Sequence, residues 1–483
     1  VKTSLSIIVP VYNEEYLVDS SLARLAMLGE SPLLERIRVI VVDDCSTDRT
    51  AETLARFRAS LSPDWGGGKF AWTWMRHDRN RGKGAAIRTG LAHADTDLTV
   101  IHDADLEYHP GDLLKMIPLF LEEDADAVYG SRFLSGDYHR VLFFRHQMGN
   151  NLITFLCSLV SDLNLSDIET CYKMIRTRLF QSIPMVSSDF RFEVEITIKL
   201  AKRGARVFEV PIRYSGRTYQ EGKKIDWKDG LRALQAILWF AVSDKIFVED
   251  EHGSQNFTRL SRAPRFHRWM ADTVRPYLGE RVLEIGAGIG ILTANLVPRA
   301  LYWATDTNPL YLDDLRHLSR TRPYLHVGYT DSTNRQSFPP DGHFDTVICL
   351  NVLEHVVDDA VALSNVRAVL PEGGRAIVLV PQYPGLYSTL DRALGHHRRY
   401  TKKQLIALGE RAGLRVVTMT EYNRPGVVAW WLNGKILRRK TFGLLQVKLL
   451  NLLVPIFRRI DAWLPLPALS LIAVFEPAEA PKS

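Results

Sequence analysis

Two strand-and-loop patterns of different chemistry follow one another in this chain, and each needs its own sheet. In the first half the apolar run Leu98–Ile101 leads into His102-Asp103-Ala104-Asp105; in the second, Arg281-Val282-Leu283-Glu284-Ile285 leads into Gly286-Ala287-Gly288-Ile289-Gly290. An acidic triplet and a glycine-rich turn both belong at the carboxyl end of a buried parallel strand, where loops gather around a ligand. The chain therefore reads as two α/β domains. Its 483 residues agree, because one hydrophobic core ordinarily serves roughly 100–200 residues. The polar, turn-rich stretch Glu249–Asn256 interrupts the apolar pattern and sets the expected division at residues 1–250 and 251–483.

Within the first half, Leu5–Pro10 and Arg38–Val42 are short β-branched runs without strict alternation, the pattern of strands covered on both faces. Polar residues cluster where such strands end: Tyr12-Asn13-Glu14-Glu15, Asp43-Asp44-Cys45-Ser46-Thr47-Asp48, and Asp103 with Asp105. Carboxylates at Asp43 and Asp44 suit hydrogen bonds from a ribose or a base. The pair Asp103 and Asp105 offers hard oxygen ligands to Mg²⁺ or Mn²⁺, which would also hold a diphosphate. Asn80-Arg81-Gly82-Lys83-Gly84 adds glycines for close backbone approach and cations for phosphate, and Arg132 is a further anion contact.

At these residues the chain resembles family 2 glycosyltransferases of the GT-A fold, and within them the polyprenyl-phosphate sugar transferases related to dolichyl-phosphate mannose synthase. The likeness runs over residues 4 to 247 through VPVYNEE, VVDDCSTDRT, NRGKGAAIRTG, DADLEYHP, YGSRF, DIETCYK and SGRTYQEGKKI, in order. It implies an inverting transfer from a nucleotide sugar, UDP- or GDP-linked, to polyprenyl phosphate. Pro10, Tyr12, Glu14, Gly82 and Lys83 would then line the donor site, Asp43 and Asp44 would hold the nucleoside, and Asp103 and Asp105 the metal and diphosphate. Arg132, Arg145, Arg217 and Lys223 would contact anionic groups, Asp167 matches the position where relatives carry a catalytic aspartate, and Asp105 and Arg132 would also serve catalysis. Glu107 stands where many relatives carry Gln. A hydroxyl acceptor needs a general base, whereas a phosphate needs only orientation. Glu193 and Glu195 read either as substrate contacts or as acids complementing a helix start. Trp227–Phe247 reads as an amphipathic segment, lying at a lipid interface or packed on protein.

The second half continues past its glycine run with Asp306 at the end of the strand Leu301–Thr305, placed to clasp ribose hydroxyls. A dinucleotide fold would satisfy that much. Asp331-Ser332, the run from Phe344 to Glu354-His355, and Leu370-Pro371-Glu372-Gly373-Gly374-Arg375 complete a resemblance, over residues 262 to 476, to class I S-adenosylmethionine-dependent methyltransferases with their Rossmann-like fold. By that resemblance Glu284, Gly286, Gly288 and Gly290 line the methionine part of S-adenosyl-L-methionine, Asp306 binds the ribose, Asp331 approaches the adenine and Asn351 closes the pocket. Glu354-His355 reads as a helix start outside the pocket. Asp391, His396, His397 and Arg398–Tyr400 form a polar insertion after the strand Ala376–Val380, and one of the two histidines is the candidate base for O-methylation, with no signature of a metal-dependent methyltransferase. Leu469–Phe475 reads as the closing strand.

Composition narrows the setting. With 46% hydrophobic and 24% charged residues the chain reads as globular except for Glu476–Ser483. Its four cysteines lack metal-ligand spacing, and no apolar leader precedes the first strand, so the expected compartment is the reducing cytoplasm. Apolar runs such as Ala233–Val242 fall short of the ~20 residues that span a bilayer. From Pro425 to Ile460 there are seven Lys or Arg and no acid, interleaved with Trp430-Trp431 and Leu449–Leu453. That segment reads as a pocket cap, a peripheral contact on the inner face of the cytoplasmic membrane, or a helical hairpin with a solvated basic face. No nucleic-acid motif accompanies the net charge of +6. The whole reads as a bifunctional enzyme joining sugar transfer to methylation of a carbohydrate. A glycan or protein acceptor, or one silent domain retained for membrane docking or assembly, are the alternatives.

Overall fold

Strands β1 (Thr3–Val11), β2 (Leu34–Asp43), β3 (Phe70–Arg76) and β4 (Leu98–Ile101) run parallel in the spatial order β3-β2-β1-β4. β6 (Lys173–Arg176) enters antiparallel to both β4 and β5 (Ala127–Ser131), and β7 (Val207–Pro211) closes the sheet parallel to β5. This mostly parallel sheet with one reversed strand is GT-A-like. The computed structural model describes residues 2–134, 144–216, 227–243, 263–340 and 343–478, and the chain falls into the units Val1–Val248 and Glu249–Ser483. The stretch Glu249–Asn256 lies outside the described residues, as do Arg217, Lys223 and the side chain of Arg145.

Leu5, Ile7, Ile8, Val9 and Val11 of β1 are all buried, so both faces of the strand are covered and its sequence has no reason to alternate. The edge strand β3 is half-exposed and is blunted by aromatic rings. Trp72 and Trp74 stack with centroids 5.3 Å apart, and Phe57, Trp65 and Phe70 pack around them.

In the second sheet β8 (Arg281–Ile285), β9 (Leu301–Asp306), β10 (Leu325–Tyr329), β11 (Thr346–Leu350) and β12 (Arg375–Pro381) are parallel, in the order β10-β9-β8-β11-β12. β14 (Ser470–Pro477) lies antiparallel between β12 and β13 (Leu414–Tyr422). That order is methyltransferase-like. β14 runs further than the sequence pattern implies: Glu476 is paired with Arg415 in the ladder, and its carboxylate holds the guanidinium of Arg415 at 2.9 Å. A charged residue continues the strand because its partner strand supplies the counter-charge.

The helices Phe144–Ser161 and Trp227–Val242 pack on each other through Ile153, Cys157, Ala233 and Ile237. The Trp227 segment packs on protein along one face, where Ala236 and Phe240 are buried, while Leu231, Leu238, Trp239 and Val242 are exposed. The basic insertion folds as the helix Pro425–Trp431, a wider π turn Leu432–Ile436 and the helix Leu444–Ile460. The last is tied to the helix Pro264–Val274 by the Arg458–Asp272 ion pair at 2.7 Å, while Leu445, Leu449, Leu452 and Ile456 stay exposed. Among the described residues no helix is long and apolar enough to cross a membrane.

All four cysteines are free thiols, and Cys157, Cys171 and Cys349 are buried. Burial pushes the thiols of Cys157 and Cys349 up to about 12 and that of Cys171 well above its usual value, so none offers a thiolate near neutral pH. Ellman's reagent is expected to titrate one thiol, the half-exposed Cys45, in the folded chain and four after denaturation. Rapid modification of all four without denaturant would contradict this packing.

Candidate active sites

Parallel register brings the first set of loops together. Val11 lies beside Asp43 and Ile8 beside Ile101, so the chain leaves β1, β2 and β4 on one edge of the sheet. The loop after β1 is knitted to the loop after β2: Asn13 accepts from the Thr47 amide at 2.8 Å, and Glu15 from the Arg49 amide at 3.0 Å. Asp43 accepts from the Ser46 amide through Oδ1 at 2.9 Å. Its other oxygen is buried without a hydrogen bond, 3.2 Å from Arg76 Nε. An acceptor so placed fits an N–H of a bound nucleoside.

Asp44 is used differently. Its Oδ1 accepts from the ring of His77 at 2.6 Å and the Arg81 amide at 2.8 Å, and its Oδ2 from the Gly82 amide at 2.7 Å. The carboxylate thereby shapes the glycine loop. Gly82 has φ +90, and a Cβ there would overlap the carbonyl oxygen of Ser188. Close approach at this glycine serves packing against the protein's own loop.

That loop delivers Lys83 to the acidic triplet. Lys83 Nζ donates to Asp103 Oδ2 at 2.9 Å and lies 3.5 Å from Glu193. Burial alone would lower the ammonium, but the carboxylates of Asp103 and Glu193 outweigh it and hold Lys83 charged. Asp103 is likewise raised by burial and brought below the usual carboxylate range by Lys83. His102, beneath the triplet, is fixed between Ser21 Oγ at 3.1 Å and Tyr172 OH at 2.9 Å. Burial lowers it to about 4, so it is neutral at pH 7. Asp105 accepts from the Glu107 amide at 3.2 Å, and Glu107 accepts from Tyr214 OH at 2.7 Å. Tyr12 is partly exposed at the end of β1, Pro10 is in its last turn of strand, and the Glu14 amide donates to Thr50 at 2.8 Å.

Asp167 sits otherwise than a solvent-facing base. It is fully buried, and Arg132 grips it through Nε and Nη2, both at 2.7 Å, and through its own amide at 3.1 Å. The pair is closed, and the guanidinium lies 5.0 Å over the ring of Tyr214. Glu193 and Glu195 are also internal: Glu193 binds Lys173 at 2.5 Å, and Glu195 accepts from the amides of Val186 at 2.8 Å and Ser187 at 2.7 Å. The residue that sequence reasoning left without a task is Glu169. It is half-buried two positions beyond Asp167, and burial, opposed by Arg132 and reinforced by Asp167, raises its pKa. A carboxyl poised nearer neutrality is suited to proton transfer.

The second site rests on the same strand logic. Ile285 lies beside Thr305 and Cys349, which sets the glycine turn against the ends of β9 and β11. The amides of Gly286 and Ala287 both donate to the Thr305 carbonyl at 2.9 Å. The Gly288 amide donates to Asp306 Oδ2 at 2.9 Å, and Asn308 to Oδ1 at 2.9 Å. Gly286, Gly288 and Gly290 all have positive φ, and a Cβ on Gly288 would meet nothing within 4 Å. That open backbone is a cradle which a ligand can approach closely, as S-adenosylmethionine binding requires. Glu284 is buried beneath it, held by Thr293 at 2.6 Å and Tyr302 at 2.9 Å. Asp331 caps its own turn through Thr333 at 2.8 Å, and Asn351 is exposed at the end of β11 with φ 56.

The polar insertion after β12 separates the two histidines. His397 is exposed, and its amide donates to the Glu354 carbonyl at 2.7 Å. His396 is buried, its Nδ1 3.0 Å from Asp391. Asp391 also accepts from Arg399 Nε at 2.7 Å, the Ser388 amide at 2.8 Å and Trp430 Nε1 at 3.1 Å. Burial would raise it, but His396 and Arg399 bring it down to about 2. Glu354 departs from the expected turn outside the pocket. The turn Leu353–His355 is present, yet Glu354 is fully buried and burial pushes it up to about 8.

A model of the glycosyl transferase family 2 matches residues 6–183, and a methyltransferase domain model matches residues 256–419. One chain thus carries a family 2 glycosyltransferase domain and, after it, a methyltransferase domain. An uncharacterized protein of Methanocaldococcus jannaschii is 26% identical over 51% of this chain and 94% of its own length. Dolichol-phosphate mannosyltransferase of Pyrococcus furiosus is 25% identical, over 45% of this chain and 58% of its own length. Undecaprenyl-phosphate 4-deoxy-4-formamido-L-arabinose transferase of Edwardsiella ictaluri is 26% identical, over 45% of this chain and 62% of its own length. Both named transferases are thus spanned over less than two thirds of their length. Among solved structures, glucosyl-3-phosphoglycerate synthase of Mycobacterium tuberculosis aligns with 52% of this chain and 82% of its own, at 18% identity and a TM-score of 0.39. The CcbJ methyltransferase of Streptomyces caelestis aligns with 45% and 91%, at 15% identity and a TM-score of 0.30.

The closed pair makes a prediction. Asp167→Ala leaves the Arg132 guanidinium buried without its partner, which costs about 3–5 kcal/mol. The urea midpoint of the variant should fall accordingly, with Asp167→Asn between it and the parent. An unchanged midpoint for Asp167→Ala would mean the pair is open in solution.

Proposed function

We propose that the first unit transfers a sugar from a UDP- or GDP-sugar to polyprenyl phosphate, and that the second methylates a carbohydrate oxygen from S-adenosyl-L-methionine. The observation that carries the acceptor assignment is an apolar face on the glycosyltransferase unit. Phe144, Met148, Leu152, Phe155 and Leu159 are exposed at helical spacing, and Leu238 and Trp239 are exposed on the helix packed against theirs. A cavity of about 310 Å³ lined by Val186, Ser187, Arg191, Gln235, Trp239 and Phe240 opens along that helix. The named relatives that act on dolichol phosphate and undecaprenyl phosphate favour the same acceptor class.

In this reading Asp43 receives the nucleoside, and Asp103 and Asp105 hold Mg²⁺ or Mn²⁺. The ion, when bound, neutralises charge on the departing nucleoside diphosphate. Lys83, kept charged beside Asp103, adds a second cation there. An acceptor phosphate oxygen attacks the anomeric carbon as the bond from that carbon to the diphosphate oxygen breaks, inverting the centre. A phosphate needs no base, and that suits a site whose Asp167 is closed on Arg132. A hydroxyl of a soluble glycan or protein would instead call on Glu169.

In the second unit the glycine turn and Asp306 receive S-adenosylmethionine, and the cluster Glu354, His355 and His396 receives the acceptor hydroxyl. Exposed Leu445, Leu449, Leu452 and Ile456 beside basic residues give this unit its own surface for an anionic bilayer.

The test is mass spectrometry of lipid and aqueous products after incubation with a nucleotide-sugar panel, Mg²⁺ or Mn²⁺ and polyprenyl phosphate, with and without S-adenosylmethionine. A lipid that gains one sugar supports the reading, and a further methyl mass shows that both units serve one product. Asp105→Ala is expected to lower sugar transfer at least about 100-fold and leave methyl transfer intact, with Asp306→Ala the reverse. Nucleotide-sugar turnover without a lipid product would overturn the acceptor and point to soluble glycans or proteins. Neither variant affecting any turnover would favour a docking or assembly role.

A further inference from the structure

Glu354, His355 and His396 each offer one ligand-type atom, and these atoms all lie within 4.8 Å of one another. The first two belong to the turn that leaves β11 and the third to the insertion that leaves β12, and these strands are hydrogen-bonded neighbours. Adjacent strand ends therefore assemble the group from residues that are about forty positions apart in the sequence.

Two independent features show that the cluster is built to receive something. Both carboxylate oxygens of Glu354 are buried and neither has a hydrogen-bond partner. A carboxylate so enclosed is expensive unless a proton or a cation meets it. His396 is in turn oriented from behind. Asp391 takes its Nδ1–H, which leaves Nε2 as the lone-pair donor on the other side of the ring. A carboxylate behind an imidazole is the usual outer support of a metal-bound histidine. The His355 and His396 rings meet edge to face at 4.8 Å, with an interplanar angle of 85°.

We propose that Glu354, His355 and His396 form a binding site for one divalent transition-metal ion in the methyltransferase unit. Two imidazoles and one carboxylate suit Zn²⁺, Co²⁺, Ni²⁺, Mn²⁺ or Fe²⁺ better than Mg²⁺ or Ca²⁺, which prefer oxygen donors throughout. Bonds of about 2.1 Å in tetrahedral geometry place ligand atoms roughly 3.4 Å apart, so side-chain rotations of about an ångström close the site. Three protein ligands leave a position open for a further oxygen.

The use of that position rests on the methyltransferase reading above. An acceptor hydroxyl held there loses its proton to water more readily than a free alcohol. Its oxygen then forms a bond to the methyl carbon, and the carbon–sulfur bond breaks with its electron pair left on sulfur. The ion would thereby supply what a histidine base was expected to supply.

Zinc content of the full chain, measured after EDTA treatment and dialysis against Zn²⁺, tests the site without any turnover. Comparing the parent with Glu354→Gln and His355→Asn cancels cation bound at Asp103 and Asp105. Each variant should lose one equivalent per chain, and Co²⁺ should give the parent a visible absorption band that both variants lack. Glu354→Gln keeps the shape of the side chain and removes its ability to ionise, so it is expected to fold; thermal unfolding checks both variants. Equal zinc in all three proteins, with no difference in Co²⁺ absorption, would overturn the site and leave Glu354 satisfied by a proton. Methyl transfer is then read separately. Loss of at least about tenfold in EDTA, restored by Zn²⁺, Mn²⁺ or Co²⁺, supports the ion's part in the reaction. Undiminished transfer in EDTA overturns that part, and zinc uptake with no methyl transfer to any acceptor defeats the methyltransferase reading while leaving the metal site standing.

Discussion

Parallel strand pairing is the constraint on which both units depend. Once β1 lies beside β2 and β4, and β8 beside β9 and β11, every chain leaving those strands does so on one edge. The loops there have no ladder partners, so side chains and bound groups must satisfy their amides and carbonyls. Asp44 and Asp306 are the same solution found twice: a carboxylate at the end of a strand that accepts from the amide of a glycine in a neighbouring turn. Each holds a glycine loop in a conformation that it would not keep alone.

Buried charge follows from that crowding. In the first unit Lys173, Glu193, Lys83 and Asp103 form a line of alternating sign beneath the strand ends. Arg132 and Asp167 form a separate closed pair. In such surroundings a charge without a partner costs several kcal/mol, so each member fixes the position of the next. The consequence for function is preorganisation: Lys83 is already charged and already placed beside Asp103 before any anion arrives. In the second unit the line is incomplete. Asp391 accepts from several donors, whereas both oxygens of Glu354 are buried with no hydrogen-bond partner.

Much of the architecture was legible because it follows from short-range pattern. The β-branched runs ending at Val42, Ile101, Ile285 and Thr305 marked the central strands, and the acids and glycines just beyond them marked the edge where the sites form. Less legible was which of those polar residues face outward. Asp167 reads as a catalytic aspartate from its motif, but the structure encloses it, because Arg132 lies 35 positions away in sequence and directly against it in space. Glu354 reads as a helix start outside the pocket, but the structure buries it, with the His397 amide on its carbonyl and the His396 ring close to its carboxylate. The extension of β14 to Pro477 was hidden for a similar reason, since the partner of Glu476 is Arg415 on the next strand.

The sequence by itself determined two α/β units, the positions of their central strands along the chain and the chemical character of each strand-end loop, since periodicity and turn chemistry act over a few residues. Only the tertiary structure decided which carboxylates are spent on the protein's own amides and cations and which are left to act. That choice depends on contacts between residues far apart in the chain. It separated His396 from His397, adjacent and identical in type, by turning one ring toward Asp391 in the interior and leaving the other in water.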